Sequence, residues 1–219
     1  MLFAALLLQA EWQADHAAAM QKAAERRAPA IVYFRADNCK RSKALEEGAF
    51  ADKDVAALLA QFVTVRIDVD HDEPNIRAKY GVRFTPAILF VGRDGKRLGE
   101  YEGAFETDAI AGKLNELLAK HRSPWCAKEA EALDRAKKEK RFALLVKDEK
   151  PHERINAALG EIADGFAIAS IEDAKAWSVE GAAWVLIDAS GEKPRVVATI
   201  PLKDAKNEEL RAKVKELVK

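Results

Sequence analysis

Two cysteines in 219 residues are too few for a disulfide framework or a four-thiolate zinc site. Any cysteine chemistry must come from one thiol or one pair. A basic surplus is also missing: 36 Lys and Arg stand against 36 Asp and Glu. Binding through phosphate neutralisation needs such a surplus or a dense basic face, so nucleic acid is not an expected partner. No apolar run approaches the roughly twenty residues of a membrane helix, so no stable membrane span is expected. There is no His/Cys cluster, phosphate-cradling Gly-rich loop or serine-nucleophile elbow. Asp68, Asp70 and Asp72 alternate like the start of a calcium loop, but no Gly stands at the sixth position and Lys79 replaces the closing Glu. Neither metal nor cofactor is expected.

What remains is a globular composition, 49% hydrophobic and 33% charged, long enough for one large domain or two compact ones. Its longest apolar run, Leu2 to Leu8, fits the core of a secretory signal within residues 1–11. No Lys or Arg precedes the run, and a cut after Ala10 would leave Leu8 where a small residue is preferred. The run is therefore read as a signal whose start is clipped or wrongly assigned, which would make the chain extracytoplasmic, periplasmic or secreted. The competing reading is a short apolar helix packed on the domain of a cytoplasmic protein.

From Trp12 the apolar positions Ala17, Met20 and Ala23 keep helical spacing up to Arg27. Ala30 to Phe34 reads as a strand and Lys40 to Phe50 as a helix. Asp52 to Leu59 is a short helix, Phe62 to Val69 a strand and Asn75 to Tyr80 a short helix. Ala87 to Val91 and Leu98 to Glu102 flank the hairpin signal Arg93-Asp94-Gly95-Lys96, and Thr107 to Lys120 is a closing helix. The order gives an α/β domain over 12–121, a mixed sheet with helices on both faces. Residues 122–219 read as a worn copy. Trp125 lies 113 positions after Trp12, and Ala143-Leu144-Leu145-Val146 falls under Ala30-Ile31-Val32-Tyr33 at the same offset. Phe166 to Ile171, Trp184 to Ile187 and Glu208 to Val218 repeat the later strands and helix. An unrelated α/β domain is the alternative.

Three motifs in register make the first unit resemble the thioredoxin family. They are Ile31 to Lys43 with Cys39-Lys40-Arg41-Ser42, Val65 to Asp70 leading to Thr85-Pro86, and Gly95 followed by Gly103-Ala104. The resemblance implies a thioredoxin-like fold in tandem with a degenerate second copy. The family's Cys-x-x-Cys reads Cys-x-x-Ser here, so Cys39 and Ser42 form the reactive pair. A thiol at a helix N-terminus is drawn toward thiolate, and Arg35, Lys40 and Arg41 add positive charge. Ser42 cannot resolve a mixed disulfide. The buried acid before the motif is replaced by Tyr33 and the aromatic before the first cysteine by Asn38. Thr85-Pro86 matches the family's cis-proline, so Thr85, Pro86, Gly103 and Ala104 would line a peptide groove.

The resemblance implies monothiol thiol–disulfide exchange or mixed-disulfide trapping, with client proteins bearing thiols or disulfides and glutathione or another small thiol as partners. A non-catalytic binding or scaffold module is the alternative. In the second unit His152 falls under Cys39, Ile155 under Ser42 and Ala182 under Pro86. His152 is expected to be a solvated surface histidine, and Cys126, on the first helix of that unit, a thiol without a role in the motif.

Overall fold

A computed structural model describes residues 10–71, 76–103 and 105–218. The apolar run at Leu2 to Leu8, Asp72, Asn75 and Ala104 lie outside the described residues. The chain divides into two compact units, Met1–Arg122 and Ser123–Lys219. No helix among the described residues is long and apolar enough to cross a membrane.

In the first unit the elements run α1 (His16–Glu25), β1 (Ala30–Arg35), α2 (Lys40–Glu47), α3 (Lys53–Leu59), β2 (Val63–Asp68), α4 (Ile76–Tyr80), β3 (Ala87–Val91), β4 (Arg97–Glu102) and α5 (Thr107–His121). The sheet order is β2-β1-β3-β4, with β1 parallel to β2 and antiparallel to β3. Because β1 is central and covered on both sides, its side chains alternate between two cores. Ala30, Val32 and Phe34 pack with Ala19 and Ala23 of α1 and Leu89 of β3. Ile31 and Tyr33 pack with Leu45, Val55, Leu59, Ile88, Ile110 and Leu114.

The helical spacing from Trp12 overshoots the helix. Asp15 is the N-cap, accepting from the backbone N–H groups of Ala17 and Ala18, so α1 starts at His16. Before the cap the chain is extended: Gln13 forms a bridge to Val65 and covers the outer edge of β2. Trp12 lies beside the rings of Tyr33 and Phe50, at 5.6 and 5.2 Å between centroids.

The second unit contains α6 (Glu129–Glu139), β5 (Phe142–Lys147), α7 (Pro151–Leu159), a 3-10 turn (Gly160–Gly165), β6 (Ala167–Ser170), β7 (Ala183–Asp188), β8 (Arg195–Pro201) and α8 (Asn207–Leu217). Its sheet, β6-β5-β7-β8, repeats the order and strand directions of the first. The repeat reaches the irregularities. The register of β3 against β4 shifts at Phe90/Val91, and that of β7 against β8 at Leu186/Ile187. Gly103 N–H donates to Pro86 O at 2.8 Å, and Leu202 N–H to Ala182 O at 3.0 Å. Trp125 bridges to Ile168 at the edge of the second sheet. Cys126 therefore follows an edge bridge instead of opening a helix. It is buried with Ala132, Ala143 and Val185, and the guanidinium of Arg135 stands 3.7 Å from its Sγ.

Leu89 is fully buried in a core drawn wholly from the first unit. Leu89→Ala should cost about 2–5 kcal/mol. Amide exchange is expected to lose protection in β1 to β3 while β5 to β7 keep theirs.

Candidate functional site

Strand β1 ends at Arg35, and three residues of turn lead to Cys39, the N-cap of α2. This is the carboxyl end of two parallel strands, where an open α/β sheet leaves a crevice. The Cys39 side chain is partly exposed, and its Sγ lies 3.5 Å from the carbonyl oxygen of Thr85. The Thr85–Pro86 peptide bond is cis, and Pro86 is buried. Neither cysteine of the chain is in a disulfide.

The Cys39 thiol is held below the ordinary cysteine range. The largest cause is the Ser42 hydroxyl; burial opposes it, and the N–H of Ser42, the Thr85 side chain and the N–H of Arg41 reinforce it. Each favourable group donates a hydrogen bond that is worth most to a charged sulfur. The Thr85 carbonyl works the other way, since an acceptor stabilises the protonated thiol. Ser42 Oγ is buried and has no hydrogen-bond partner in the static geometry. A hydroxyl rotates freely, so this one is a donor in reserve that engages the sulfur when the proton leaves.

Arg35, expected beside the sulfur, is committed elsewhere. Its guanidinium pairs with Asp37 at 2.7 Å, Glu46 at 3.0 Å and Asp68 at 2.8 Å. Asp70 accepts from the N–H of Asp37 at 3.0 Å, and Asp68 from the N–H of Asp70 at 3.0 Å. Two of the acids in the calcium-like alternation thus tie the turn before Cys39 to the end of β2. Lys40 and Arg41 are exposed. Arg41 reaches the sulfur through its backbone N–H, so helix-start hydrogen bonds do what side-chain charge was expected to do. Gly103 is joined to Pro86 through the backbone, as described above.

Asp37, Asp68 and His71 bring possible ligand atoms within 4.8 Å of one another. Both carboxylates of this cluster already pair with the Arg35 guanidinium.

Tyr33, in the place of the family's acid, is fully buried and its hydroxyl donates to Ser42 O at 3.3 Å. Burial pushes its phenol far up, with the negative charge of Glu46 adding to the effect. It serves as a strut under α2 and stays neutral. Glu46 was not foreseen; its signal is its place one turn after Ser42 on the same helix face. Phe84 was not foreseen either. It stands immediately before Thr85, 67% exposed.

In the second unit α7 begins with Pro151, and Ile155 is buried where Ser42 stands in the first. His152 is not a solvated surface residue. It is half-buried, its ring 4.0 Å from that of Trp125, because the edge bridge lays Trp125 against the start of α7.

Asp37 is held below the usual carboxylate range, first by its hydrogen bond from Arg35. A lowered carboxylate contributes stability above about pH 4 that is lost as pH falls through the folded-state value. Arg35→Met should therefore lower the urea midpoint most at neutral pH. The gap from the parent protein should narrow in acid.

Residues 11–92 match a family model described as thioredoxin-like. No curated protein matches the chain in sequence. Among solved structures, a thioredoxin from Thermus thermophilus is 21% identical, with a TM-score of 0.46 over 52% of this chain and 91% of that one. The reduced C-terminal domain of DsbD from Neisseria meningitidis is 25% identical, with a TM-score of 0.42 over 47% and 96%. The DsbH oxidoreductase is 15% identical, with a TM-score of 0.45 over 55% and 92%. The match over 11–92 to a thioredoxin-like family model and the β2-β1-β3-β4 sheet with Cys39 at the start of α2 give the first unit a thioredoxin-like fold.

Proposed function

We propose that the chain carries out monothiol thiol–disulfide exchange through Cys39, forming mixed disulfides with client proteins. The observation that carries this reading is the set of donors around one partly exposed sulfur at a helix start, with Ser42 buried where a resolving thiol would stand. In the step, the Cys39 thiolate attacks one sulfur of a client disulfide. A new bond joins Cys39 to that sulfur, and the other client sulfur leaves as a thiolate and takes a proton. Ser42 cannot repeat the attack from within, so release falls to an external thiol such as glutathione or a second protein thiol. In this reading Thr85, whose carbonyl lies 3.5 Å from the sulfur, opens a peptide groove that continues through Pro86 and Gly103, with Ala104, outside the described residues, as its last expected member. The unit 2 equivalents, His152, Ile155 and Ala182, have no thiol, and that unit serves for packing or binding. Export, expected from residues 2–8, belongs to the same reading, since an oxidising compartment supplies client disulfides.

Alkylation of Cys39 against pH, in a Cys126→Ser background, tests the reading. The midpoint is expected below that of ordinary cysteine, about 8.5, and Ser42→Ala should move it upward by removing the leading donor. A midpoint at or above the ordinary value would favour a non-catalytic binding module. Covalent capture of client proteins should vanish in Cys39→Ala.

Ser42→Cys places a thiol one turn from Cys39 and should confer insulin-disulfide reduction that the parent lacks. Unchanged reduction would mean that Tyr33 and Asn38 have already dismantled the dithiol route.

A further inference from the structure

The charges around Cys39 are sorted. Among the described residues the acids near Cys39 are paired or hydrogen-bonded: Asp37, Asp68 and Glu46 with Arg35, Asp70 with the N–H of Asp37, and Glu102 at 3.4 Å from the N–H of Arg83, although Asp37, Asp70 and Glu102 remain exposed. The cations face outward. Lys40, Arg41, Lys43 and Arg83 are exposed, and none makes an ion pair among the described residues. They stand on both sides of the sulfur, three on the first turn of α2 and one on the segment leading to Thr85. The whole chain is neutral, so this is local segregation and not a general excess.

Phe84 belongs to the same rim. Among the described residues only Phe84, at 67%, and Val196 of the second unit, at 43%, are large hydrophobic side chains left exposed. The segment presenting Phe84 is fastened from behind. Arg77 donates to the carbonyls of Val82 at 3.1 Å and Arg83 at 2.7 Å, Val82 is buried, and Pro86 O accepts from Gly103. A ring held out by a latched backbone is a contact surface, and Asn38 leaves no aromatic on the other side of the sulfur.

We infer that the occupant of this rim is an extended, acidic client segment whose disulfide cysteine is flanked by an apolar residue that covers Phe84. The inference rests on the exchange reading above and names its substrate class. Opposite charge across the rim would speed encounter and fade with salt, while Phe84 would set register beside the sulfur.

The test uses the full chain carrying Cys126→Ser and short cysteine peptides activated as 2-pyridyl disulfides. Cys39 attacks the peptide sulfur, the Cys39–peptide disulfide forms, and the pyridine thiolate leaves and is protonated to the coloured thione. An acidic peptide with an apolar neighbour should react about tenfold faster than its basic counterpart at low salt, and the gap should close near 1 M salt. Lys43→Glu with Arg83→Glu should invert the preference. Phe84→Ser should slow the apolar-flanked acidic peptide more than a glycine-flanked one. Equal rates for acidic and basic peptides, with neutral 2,2′-dipyridyl disulfide still reacting, would overturn the inference and leave the exchange reading standing. Glutathione 2-pyridyl disulfide reacting as fast as the acidic peptide, with Phe84→Ser indifferent, would also overturn it, in favour of a small anionic thiol. No reaction even with the neutral disulfide removes the exchange reading and this inference together.

Discussion

The position of the Cys39 sulfur depends on the pairing of Arg35 with Asp68 at the last rung of the parallel β1–β2 ladder. The two residues are register partners, so the ion pair locks the ends of both strands. Through Asp37 it fixes the turn that follows, and through Glu46 it fixes the helix after the turn. A charge so committed has little left for the thiol. The protein therefore lowers the Cys39 pKa with neutral donors, a hydroxyl and backbone N–H groups, whose orientation the clamp secures.

Much of this architecture is legible in the residues. The two-faced burial of Ala30 to Phe34 reads as an apolar run with no polar alternation, and the repeat at an offset of 113 follows from strands that occupy equivalent places in two sheets. Helix starts are less legible. Spacing alone extends α1 back to Trp12, because a bridge to Val65 and the Asp15 cap are tertiary and local effects that periodicity does not register. The same limit explains Cys126, placed on a helix by pattern and found just after an edge bridge.

Within the site, residue types were readable and their allegiances were not. Cys39, Ser42 and Thr85 converge because motif spacing on this fold brings them together. Nearness in sequence points Arg35 at the sulfur, whereas three carboxylates compete for it in space. Phe84 carries no periodic signal, since a single aromatic in a loop becomes informative only when its exposure is known. The charged residues around His152 predict a solvated side chain, whereas a tryptophan twenty-seven positions earlier shelters it.

The buried hydroxyl of Ser42 changes what kind of clock the first unit would be. With a resolving thiol in the chain, the lifetime of a mixed disulfide is an internal constant of the protein. With Ser42 in that place the adduct would last as long as its surroundings allow, and its half-life would vary inversely with the concentration of free thiol outside. Occupancy of Cys39 would then be a readout of the local thiol supply.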